Sequence, residues 1–387
     1  MVNFKPMDKI NIALIGCGGI SNAHVAGFRI LSTLGLKVFN VKAVCDVVEK
    51  NAEEKANLIY YFQDSKPRVY TDIERMLKDE SLDAVDICLP HNLHHIVASQ
   101  CLERGLHVII EKPLAITMRA AKYIIGKASK HNRVLAVAEN YRRAPKERAF
   151  WWAVREGLIG EPRIVLWSAM SWGPKPWGWR EDKFSAGGSW VFDGGVHWAD
   201  LDRYQLNREA VEVFAMCHTF DPVKEGVKVT VDDMTIAIIR YEGNVFSQWI
   251  WTRATPAKRV YMHTICGSKG SLSDDGIHLE TEYGKIETRP MDTLIEEMRR
   301  NLPKETLEKL FPRGITDTFA IELYDFYDSV INKRRPEVDA VEAYKDMAIP
   351  LGFYESAKLN KPVRVKDVED LIVEEYQKEI NEKLSIS

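Results

Sequence analysis

The first 140 residues of the chain alternate between short apolar runs and longer stretches of helical periodicity. The runs KINIALIG, VFNVKAVCD, DAVDICLP, HVIIEKPL and VLAVAENY contain few polar positions, and segments such as SNAHVAGFRILST and HNLHHIVASQCLERG lie between them. An apolar run without alternation is typical of a strand that is buried on both faces of a parallel sheet. Strands that alternate with helices predict right-handed βαβ units.

The pattern changes after about residue 145. The runs EVFAMCHTF, TVDDMTIAIIRYEG, NVFSQWIWTRA, RVYMHTICGS and IHLETEYG follow one another with turn signals between them, which predicts a mostly antiparallel sheet. Later segments, TFAIELYDFYDSVIN and VEAYKDMAIPLGFYESAKL, predict helices, and the C-terminal DLIVEEYQKEINEKLSIS predicts an amphipathic terminal helix. We therefore predict an α/β protein of two domains, residues 1–145 around a parallel sheet and residues 146–387 around a large open sheet.

Net charge, the length of apolar runs and the cysteine spacing indicate which partners and which compartment to expect. The formal net charge is −3, so we expect no nucleic-acid partner. No apolar run reaches the length that crosses a membrane, and the N-terminus has no signal-peptide pattern. The six cysteines are scattered without a CxxC pair, which is typical of buried thiols in a reducing compartment and gives no metal site. We therefore expect a cytoplasmic location and no membrane partner.

The stretch ALIGCGGISNAH places Gly16, Gly18 and Ser21 at the spacing of a phosphate-binding turn between a predicted strand and a predicted helix. Gly18 would let the backbone approach a pyrophosphate, and the helix N-terminus would offer free N–H groups to it. Asp46 ends the next strand, where a carboxylate accepts hydrogen bonds from ribose hydroxyls and repels a 2′-phosphate. This pattern favours NAD over NADP. The alternatives are an ordinary strand-to-helix turn and a solvated strand end.

A second group of residues lies where later strands end. Lys112 in EKPLA could hydrogen-bond a substrate hydroxyl, or it could be a surface lysine packed on Pro113. In SAGGSWVFDGGVHWADL, Asp193 and His197 are four residues apart and so share one face of a helix. Histidine suits the removal of a hydroxyl proton near neutral pH, and Asp193 could orient the ring. The alternative is a helix-capping pair; no third ligand at short spacing supports a metal.

Taken together, these segments resemble the glucose–fructose oxidoreductase/inositol dehydrogenase (Gfo/Idh/MocA) family. The matching motifs are GCGGIS (16–21), EKPLA (111–115), ENYRR (139–143), GGSWVFDGGVHWADL (187–201), DD (232–233), GSKGSL (267–272) and KPV (361–363). The resemblance implies an N-terminal Rossmann dinucleotide-binding domain and a C-terminal α+β domain for substrate binding and oligomerisation. It also implies a cis Lys112–Pro113 bond and a late segment near 340–360 that joins the first domain. One departure is LPHNLH, with His91 where the family usually has Asn.

The resemblance also assigns site residues. It makes Lys112, Asp193 and His197 the catalytic group. The predicted cofactor-binding residues are Gly16, Gly18, Gly19, Ile20, Ser21, Asp46, Leu89, Pro90, His91, His94, Glu111, Lys112 and Asn140. The predicted substrate-binding residues are Lys112, Tyr141, Arg142, Trp179, Arg180, Asp193 and His197, because the Trp-rich loop SWGPKPWGWRED directly precedes the Asp/His motif and aromatic faces stack on sugar rings.

These observations predict an NAD-dependent dehydrogenase for a secondary alcohol of a sugar, sugar derivative or cyclitol. A second hypothesis is an NAD-dependent enzyme that cleaves glycosides through transient oxidation of the sugar. A third is a non-catalytic NAD-sensing regulator, against which Lys112, Asp193 and His197 argue. Since TIAIIRY and FSQWIW would expose apolar side chains on an open sheet, we also expect a homodimer or homotetramer. Gly187 and Gly188 are expected to allow a ligand to approach closely.

Overall fold

The computed structural model describes residues 9–256 and 258–386. The chain divides into two compact units. The N-terminal unit comprises the described residues up to Ala115, together with Ala120–Arg143 and Glu308–Ala343. The C-terminal unit comprises Ile116–Arg119, Ala144–Leu307 and the described residues from Tyr344 onward.

Strands and helices alternate along the first part of the chain. As far as residue 143, the strands are β1 (Ile10–Ile15), β2 (Phe39–Cys45), β3 (Arg68–Tyr70), β4 (Ala84–Ile87), β5 (His107–Glu111) and β6 (Leu135–Ala138). The helices of the same stretch are α1 (Ser21–Thr33), α2 (Glu49–Tyr60), α3 (Ile73–Asp79), α4 (His91–Glu103) and α5 (Met118–His131).

The rest of the chain is richer in strands. Its strands are β7 (Pro162–Met170), β8 (Ala210–His218), β9 (Val223–Lys224), β10 (Val227–Lys228), β11 (Met234–Tyr241), β12 (Val245–Thr252), β13 (Val260–Gly267), β14 (Gly270–Ser273), β15 (Gly276–Glu282), β16 (Lys285–Pro290) and β17 (Val363–Arg364). Its helices are α6 (Pro145–Arg155), α7 (Lys183–Ala186), α8 (Trp190–Asp193), α9 (Gly195–Leu206), α10 (Met291–Asn301), α11 (Lys304–Leu310), α12 (Thr318–Asn332), α13 (Ala340–Leu359), α14 (Val365–Glu369) and α15 (Gln377–Lys383).

The N-terminal sheet is parallel and has the strand order β3-β2-β1-β4-β5-β6. This is the order of a dinucleotide-binding Rossmann fold, in which ligands bind at the carboxyl ends of the strands where the order reverses. Ile12, Ala13 and Leu14 of the central strand are fully buried, as the unbroken apolar run predicts. The predicted parallel sheet is confirmed.

Helix α12 packs against α1 within the N-terminal unit. At Gly27 of α1 a Cβ would lie 2.8 Å from the Leu323 side chain, so the two helices approach closely. The late segment that joins this unit is therefore 308–343. The expectation placed it near 340–360, where most of α13 belongs to the C-terminal unit. Both segments have a helical pattern, and the pattern does not say which sheet a helix covers.

The C-terminal sheet has nine strands in the order β16-β15-β14-β13-β7-β12-β11-β8-β17. Among the described residues of this sheet only β7 and β12 pair in parallel, so the predicted mostly antiparallel sheet is confirmed. Strand β7 was not predicted, although it lies at the centre of this sheet. Its partners β12 and β13 follow it by roughly eighty residues and more, so nothing next to β7 in the sequence signals the pairing.

The prediction of one terminal helix over DLIVEEYQKEINEKLSIS is wrong for the described part. Helix α15 covers only Gln377–Lys383, and residue 387 lies outside the described residues. The Glu355 carboxylate of α13 accepts the backbone N–H groups of Tyr376 (2.8 Å) and Gln377 (3.3 Å). Because a side chain from elsewhere satisfies these donors, the helix begins there. Within the described residues, no helix combines the length and the apolar character needed to cross a membrane.

Candidate functional site

The glycine loop after β1 leaves its backbone open. Gly16 has φ +90°, and a Cβ there would lie 2.2 Å from the carbonyl oxygen of Cys88, so only glycine fits. At Gly18 and Gly19 a Cβ would meet no atom within 4 Å. Gly16 therefore makes the tight turn that was predicted, and the backbone at Gly18 is uncovered by other atoms.

Helix α1 begins directly after this loop. Its N-terminus has no side-chain cap and no acidic residue in the first turn. The hydroxyl of buried Ser21 instead donates to the carbonyl oxygen of Gly18 at 2.6 Å, which stabilises the loop. An uncapped helix N-terminus favours an anion, so the loop and α1 together suit the pyrophosphate of a dinucleotide.

Asp46 contacts the same loop from the end of β2. One carboxylate oxygen accepts the backbone N–H of Cys17 at 2.7 Å, and the other accepts that of Val48 at 2.8 Å. Val47 is 90% exposed and does not cover the carboxylate. Asp46 thus stabilises the glycine loop from the end of β2.

His94 lies between the LPHNLH loop and the EKP segment. Its two ring nitrogens lie 2.9 Å from the carbonyl oxygen of Pro113 and 2.8 Å from that of Leu89. Burial lowers the pKa of His94 to about 4, so the ring is neutral and donates through one nitrogen. His91 is also buried, with its ring centroid 5.7 Å from that of His94. The structure therefore gives His94 a loop-positioning contact.

The Lys112–Pro113 peptide bond is cis, as predicted. Lys112 is half-buried, and its backbone N–H donates to the Glu111 carboxylate at 3.1 Å. Further along, the amide of Asn140 donates to the Thr318 hydroxyl at 3.2 Å. Tyr141 is exposed, whereas Arg142 is buried. Of the ENYRR residues predicted for substrate, Tyr141 is thus the accessible one.

In the C-terminal unit, Asp193 ends α8 and His197 lies in the first turn of α9. Both side chains are buried. Gly194 separates the two helices, so Asp193 and His197 lie on two consecutive short helices rather than on one continuous helix.

The glycines of this motif are explained by packing. A Cβ at Gly188 would lie 2.5 Å from the Tyr354 ring, and one at Gly194 would lie 2.2 Å from the Trp190 ring. Gly187 has φ +83°, and a Cβ there would lie 2.9 Å from Ile116. The expectation that Gly187 and Gly188 admit a ligand is corrected: the space beside each is filled by side chains of the same unit.

Arg180 from the Trp-rich loop pairs with Asp193. Its Nε lies 2.5 Å from the Asp193 carboxylate, and its guanidinium lies 4.2 Å from the Trp179 ring centroid and 5.0 Å from that of Trp177. The ion pair compensates the burial of the Asp193 charge. Arg253 pairs with buried Glu181 at 2.9 Å and lies 5.2 Å from the Trp177 ring, which holds the same loop from a second side.

Two sequence profiles match the chain. The profile described as "Oxidoreductase family, NAD-binding Rossmann fold" matches residues 10–139, and the "GFO/IDH/MocA C-terminal domain" profile matches residues 151–273. The chain belongs to the Gfo/Idh/MocA family. This member is therefore an oxidoreductase with an NAD-binding N-terminal domain.

Similar proteins cover either nearly the whole of this Gfo/Idh/MocA chain or a part of it. A 1,5-anhydro-D-fructose reductase of Ensifer adhaerens is 26% identical over 91% of this chain and 98% of its own length. A myo-inositol 2-dehydrogenase of Thermotoga maritima is 23% identical over 92% of this chain and 98% of its own length. A glycosyl hydrolase family 109 protein of Akkermansia muciniphila is 24% identical over 40% of this chain and 32% of its own length.

Solved structures share the fold of this Gfo/Idh/MocA chain. The structure titled "Levoglucosan dehydrogenase, complex with NADH and levoglucosan" superposes with a TM-score of 0.76 and 24% sequence identity. It covers 92% of this chain and 100% of the levoglucosan dehydrogenase chain. The two-domain Gfo/Idh/MocA architecture that the motifs implied is therefore confirmed.

The tryptophans of this Gfo/Idh/MocA chain fall into two groups. Trp167 and Trp198 stack at 4.7 Å between ring centroids in the core, and Trp198 meets Trp249 edge-on at 5.2 Å. Trp172 and Trp177 of the loop are instead exposed. The core group packs α9 on the sheet, whereas Trp172 and Trp177 offer aromatic surface to a ligand.

Sequence reasoning missed several residues that support these positions. His24, Glu181, Arg253, Tyr354 and Tyr376 all contact the loops or motifs described above. The Tyr376 hydroxyl, for example, donates to the carbonyl oxygen of Gly187 at 3.0 Å, although the two residues lie far apart in the chain. No spacing or motif in the sequence signals such a contact.

Proposed function

We propose that this protein is an NAD-dependent dehydrogenase of a sugar, sugar derivative or cyclitol. The observation that carries the proposal is the open backbone of Gly18 and Gly19 before an uncapped α1, in a sheet of Rossmann strand order. The nicotinamide, when bound, accepts or returns the hydride. The substrate class follows from relatives named as anhydrofructose, levoglucosan and inositol enzymes.

The proton chemistry is assigned to this chain's own residues. His197 takes the proton of the hydroxyl that is oxidised, since imidazole is a suitable base near neutral pH. Lys112 donates a hydrogen bond to the same hydroxyl oxygen and so stabilises negative charge on it. Asp193, held by Arg180, accepts a hydrogen bond from substrate or from His197.

The substrate-binding roles of Tyr141 and of the Trp-rich loop remain part of the proposal. The exposed rings of Tyr141, Trp172 and Trp177 can stack on the C–H face of a sugar. Arg180 already contacts the ring of Trp179 and the Asp193 carboxylate, so we assign it to positioning Asp193.

The test is a screen for NADH formation, read at 340 nm, over free monosaccharides, anhydrosugars, inositols and glycosides. We expect NADH with at least one of them. Absence of NADH formation with all four classes, together with absence of NAD binding by calorimetry, contradicts the proposal. The same screen is run in the reductive direction with NADH and the corresponding keto sugars.

A second candidate is an NAD-dependent glycoside-cleaving enzyme. It is favoured by the similarity to proteins named glycosyl hydrolase family 109. In this reaction the sugar is oxidised transiently and reduced again, so NAD is regenerated. Release of aglycone from a glycoside without net NADH would identify this activity, whereas net NADH from a free sugar would identify the dehydrogenase.

The preference for NAD over NADP is proposed from Asp46. A carboxylate at the end of β2 accepts hydrogen bonds from the ribose hydroxyls of NAD and repels the 2′-phosphate of NADP. We expect tighter binding of NAD by calorimetry, and Asp46→Ala should weaken NAD far more than NADP. Asp46→Asn is the comparison variant: it removes the charge but keeps one acceptor oxygen, for either the Cys17 or the Val48 N–H group. Tighter binding of NADP by the unsubstituted protein contradicts the assignment.

We further propose that the protein is a cytoplasmic homodimer or homotetramer. One face of the nine-stranded sheet carries exposed apolar side chains, among them Ile164, Met216, Ile236, Ile238 and Phe246. A contiguous apolar face of this kind favours burial against another subunit.

A further inference from the structure

His24 is a buried titratable residue that the proposed chemistry does not use. It lies in the first turn of α1, three residues after Ser21, and its side chain is fully buried. The ring Nδ1 lies 2.9 Å from the Asp86 carboxylate of β4, and Nε2 lies 3.0 Å from the Glu111 carboxylate of β5. The ring therefore joins the helix of the glycine loop to two strand ends.

The contact continues from Glu111 to Lys112. The second carboxylate oxygen of Glu111 accepts the backbone N–H of Lys112 at 3.1 Å. Asp86, His24, Glu111 and the Lys112 backbone thus form one continuous series of hydrogen bonds, which we call the His24 chain. All of its members belong to the N-terminal unit.

The charges in the His24 chain explain why an imidazole is required. Burial disfavours a charged ring, but the facing Asp86 carboxylate outweighs it and raises the pKa of His24 well above its usual value. The cation lies between two buried carboxylates and compensates both. Cys88 also faces the ring, and burial raises the pKa of its thiol, so it is neutral.

Helix α12 closes the other side of the ring. Phe319 lies 5.5 Å from the His24 ring centroid. Glu322 is buried, and neither of its carboxylate oxygens has a hydrogen-bond partner among the described residues. Burial raises the pKa of Glu322 well above its usual value, so it is a neutral acid and does not compete for His24.

We propose that His24 is a positioning residue for Lys112, acting through Glu111. The ring fixes the Glu111 carboxylate, and that carboxylate fixes the backbone of Lys112 at the start of the KP segment. The proposal rests on the catalytic role proposed above for Lys112. A purely structural role would make the contacts to Asp86 and Glu111 equally important for turnover. A positioning role predicts that loss of the Nε2–Glu111 contact lowers turnover more.

The test uses two variants that each keep one half of the His24 chain. The amide nitrogen of Asn lies three bonds from Cα, as Nδ1 does, and that of Gln lies four bonds away, as Nε2 does. His24→Asn therefore keeps the contact to Asp86, and His24→Gln keeps the contact to Glu111. Both variants remove the cation, so they are matched in charge.

We expect both variants to lose thermal stability to a similar degree. His24→Gln should keep kcat within about tenfold, whereas His24→Asn should lower kcat by roughly 100-fold, the usual effect of a small misplacement of a catalytic group. KM for NAD should change little. Equal kcat values in the two variants, or a higher kcat in His24→Asn, overturn the proposal. A stoichiometric metal ion bound by His24 in the purified protein also overturns it.

A second measurement separates this proposal from the proposed function. The reactivity of the Lys112 amine toward an acylating reagent is followed against pH by mass spectrometry, which needs no turnover. We expect His24→Asn to shift this profile and His24→Gln to leave it close to that of the unsubstituted protein. An unshifted profile in both variants overturns the positioning role, whether or not any sugar is oxidised. Absence of turnover in the unsubstituted protein would instead count against the proposed function.

Discussion

Asp193 and Arg180 show how a single ion pair sets what a buried carboxylate can do. Asp193 is buried, and Arg180 supplies its cation from a loop that Trp177, Trp179 and Arg253 hold in place. A carboxylate paired in this way remains a hydrogen-bond acceptor. The proposed function gives the role of base to His197 and that of hydrogen-bond acceptor to Asp193, and the first two predictions follow from this division of roles.

His197→Ala should lower kcat by roughly 10² to 10⁴-fold, because loss of a general base typically costs this much. NAD affinity, measured by calorimetry, should stay nearly unchanged, since His197 belongs to the C-terminal unit and the glycine loop to the N-terminal unit. Steady-state kinetics on the substrate found in the screen gives the result. If the variant keeps most of its activity, another residue is the base, and Lys112 and Tyr141 are the next candidates.

Arg180→Ala should lower kcat/KM by roughly 10- to 100-fold, since Asp193 would lose the group that orients it. Arg253→Ala is the matched control. It removes a guanidinium that contacts the same loop and the same Trp177 ring, but leaves the Arg180–Asp193 pair in place. The prediction requires a larger loss for Arg180→Ala; equal losses would mean that both arginines only stabilise the loop.

At the level of elements, α9 meets the C-terminal sheet at a buried carboxylate. Asp202 of α9 accepts the indole N–H of Trp167 at 2.8 Å from β7 and the hydroxyl of Tyr241 at 3.0 Å from β11. Burial outweighs these hydrogen bonds and raises the pKa of Asp202 from 3.8 to about 6. The packing of this helix therefore depends on pH.

The sign of this dependence follows from the raised pKa. Between about pH 4 and pH 6 the folded chain holds a proton on Asp202 that the unfolded chain has released, so stability falls as pH rises. The contribution is on the order of 3 kcal/mol. Asp202→Asn should remove it, which urea unfolding at pH 4, 5, 6 and 7 would detect as a flatter curve. The same slope in both proteins contradicts the assignment to Asp202.

Some of the strands and helices could be predicted from the sequence pattern, and others could not. The apolar runs of the N-terminal unit predict its strands because each run is buried on both faces, and Ile12 to Leu14 are fully buried. Strand β3 has three residues, too few to give a pattern, and it was not predicted. The length of α15 was also not predicted. The N–H groups at its start donate to the Glu355 carboxylate, and Glu355 lies on another helix.

On the scale of the whole molecule, the outer face of the C-terminal sheet is the feature that predicts assembly. Along β11 the residues alternate, with Ala237 and Ile239 buried while Ile236 and Ile238 are 45% and 51% exposed. Phe246 of β12 extends the same apolar surface, since it pairs with Arg240, which lies two residues beyond Ile238 and so on the same face of the sheet. Single exposed apolar residues are normal on a protein surface, but neighbouring ones that form a continuous face indicate a site of association.

We expect light scattering at micromolar concentration to give a dimer or a tetramer. Ile238→Glu places a charge in the centre of the face and should shift the protein toward monomers. Val223→Glu, at an exposed position of the separate two-stranded β9–β10 sheet, is the matched control and should leave the assembly unchanged. A monomeric unsubstituted protein would rule out the interface.

The sequence by itself determined the features that depend on neighbours in the chain. The glycine loop, the end of β2 at Asp46 and the alternation of β11 follow from periodicity, turn chemistry or a motif within about ten residues. The cis Lys112–Pro113 bond was implied by the resemblance to the family. Backbone conformation and side-chain alternation are local properties, so a local pattern is sufficient to predict them.

Only the tertiary structure decided which distant residues meet. His24 contacts Asp86 and Glu111, which lie 62 and 87 residues away, and the Tyr376 hydroxyl meets Gly187 across 189 residues. The glycines of the Asp/His motif likewise owe their identity to the Tyr354 and Trp190 rings. Burial, packing and charge compensation are properties of the folded core, where the cost of placing a side chain depends on every element around it.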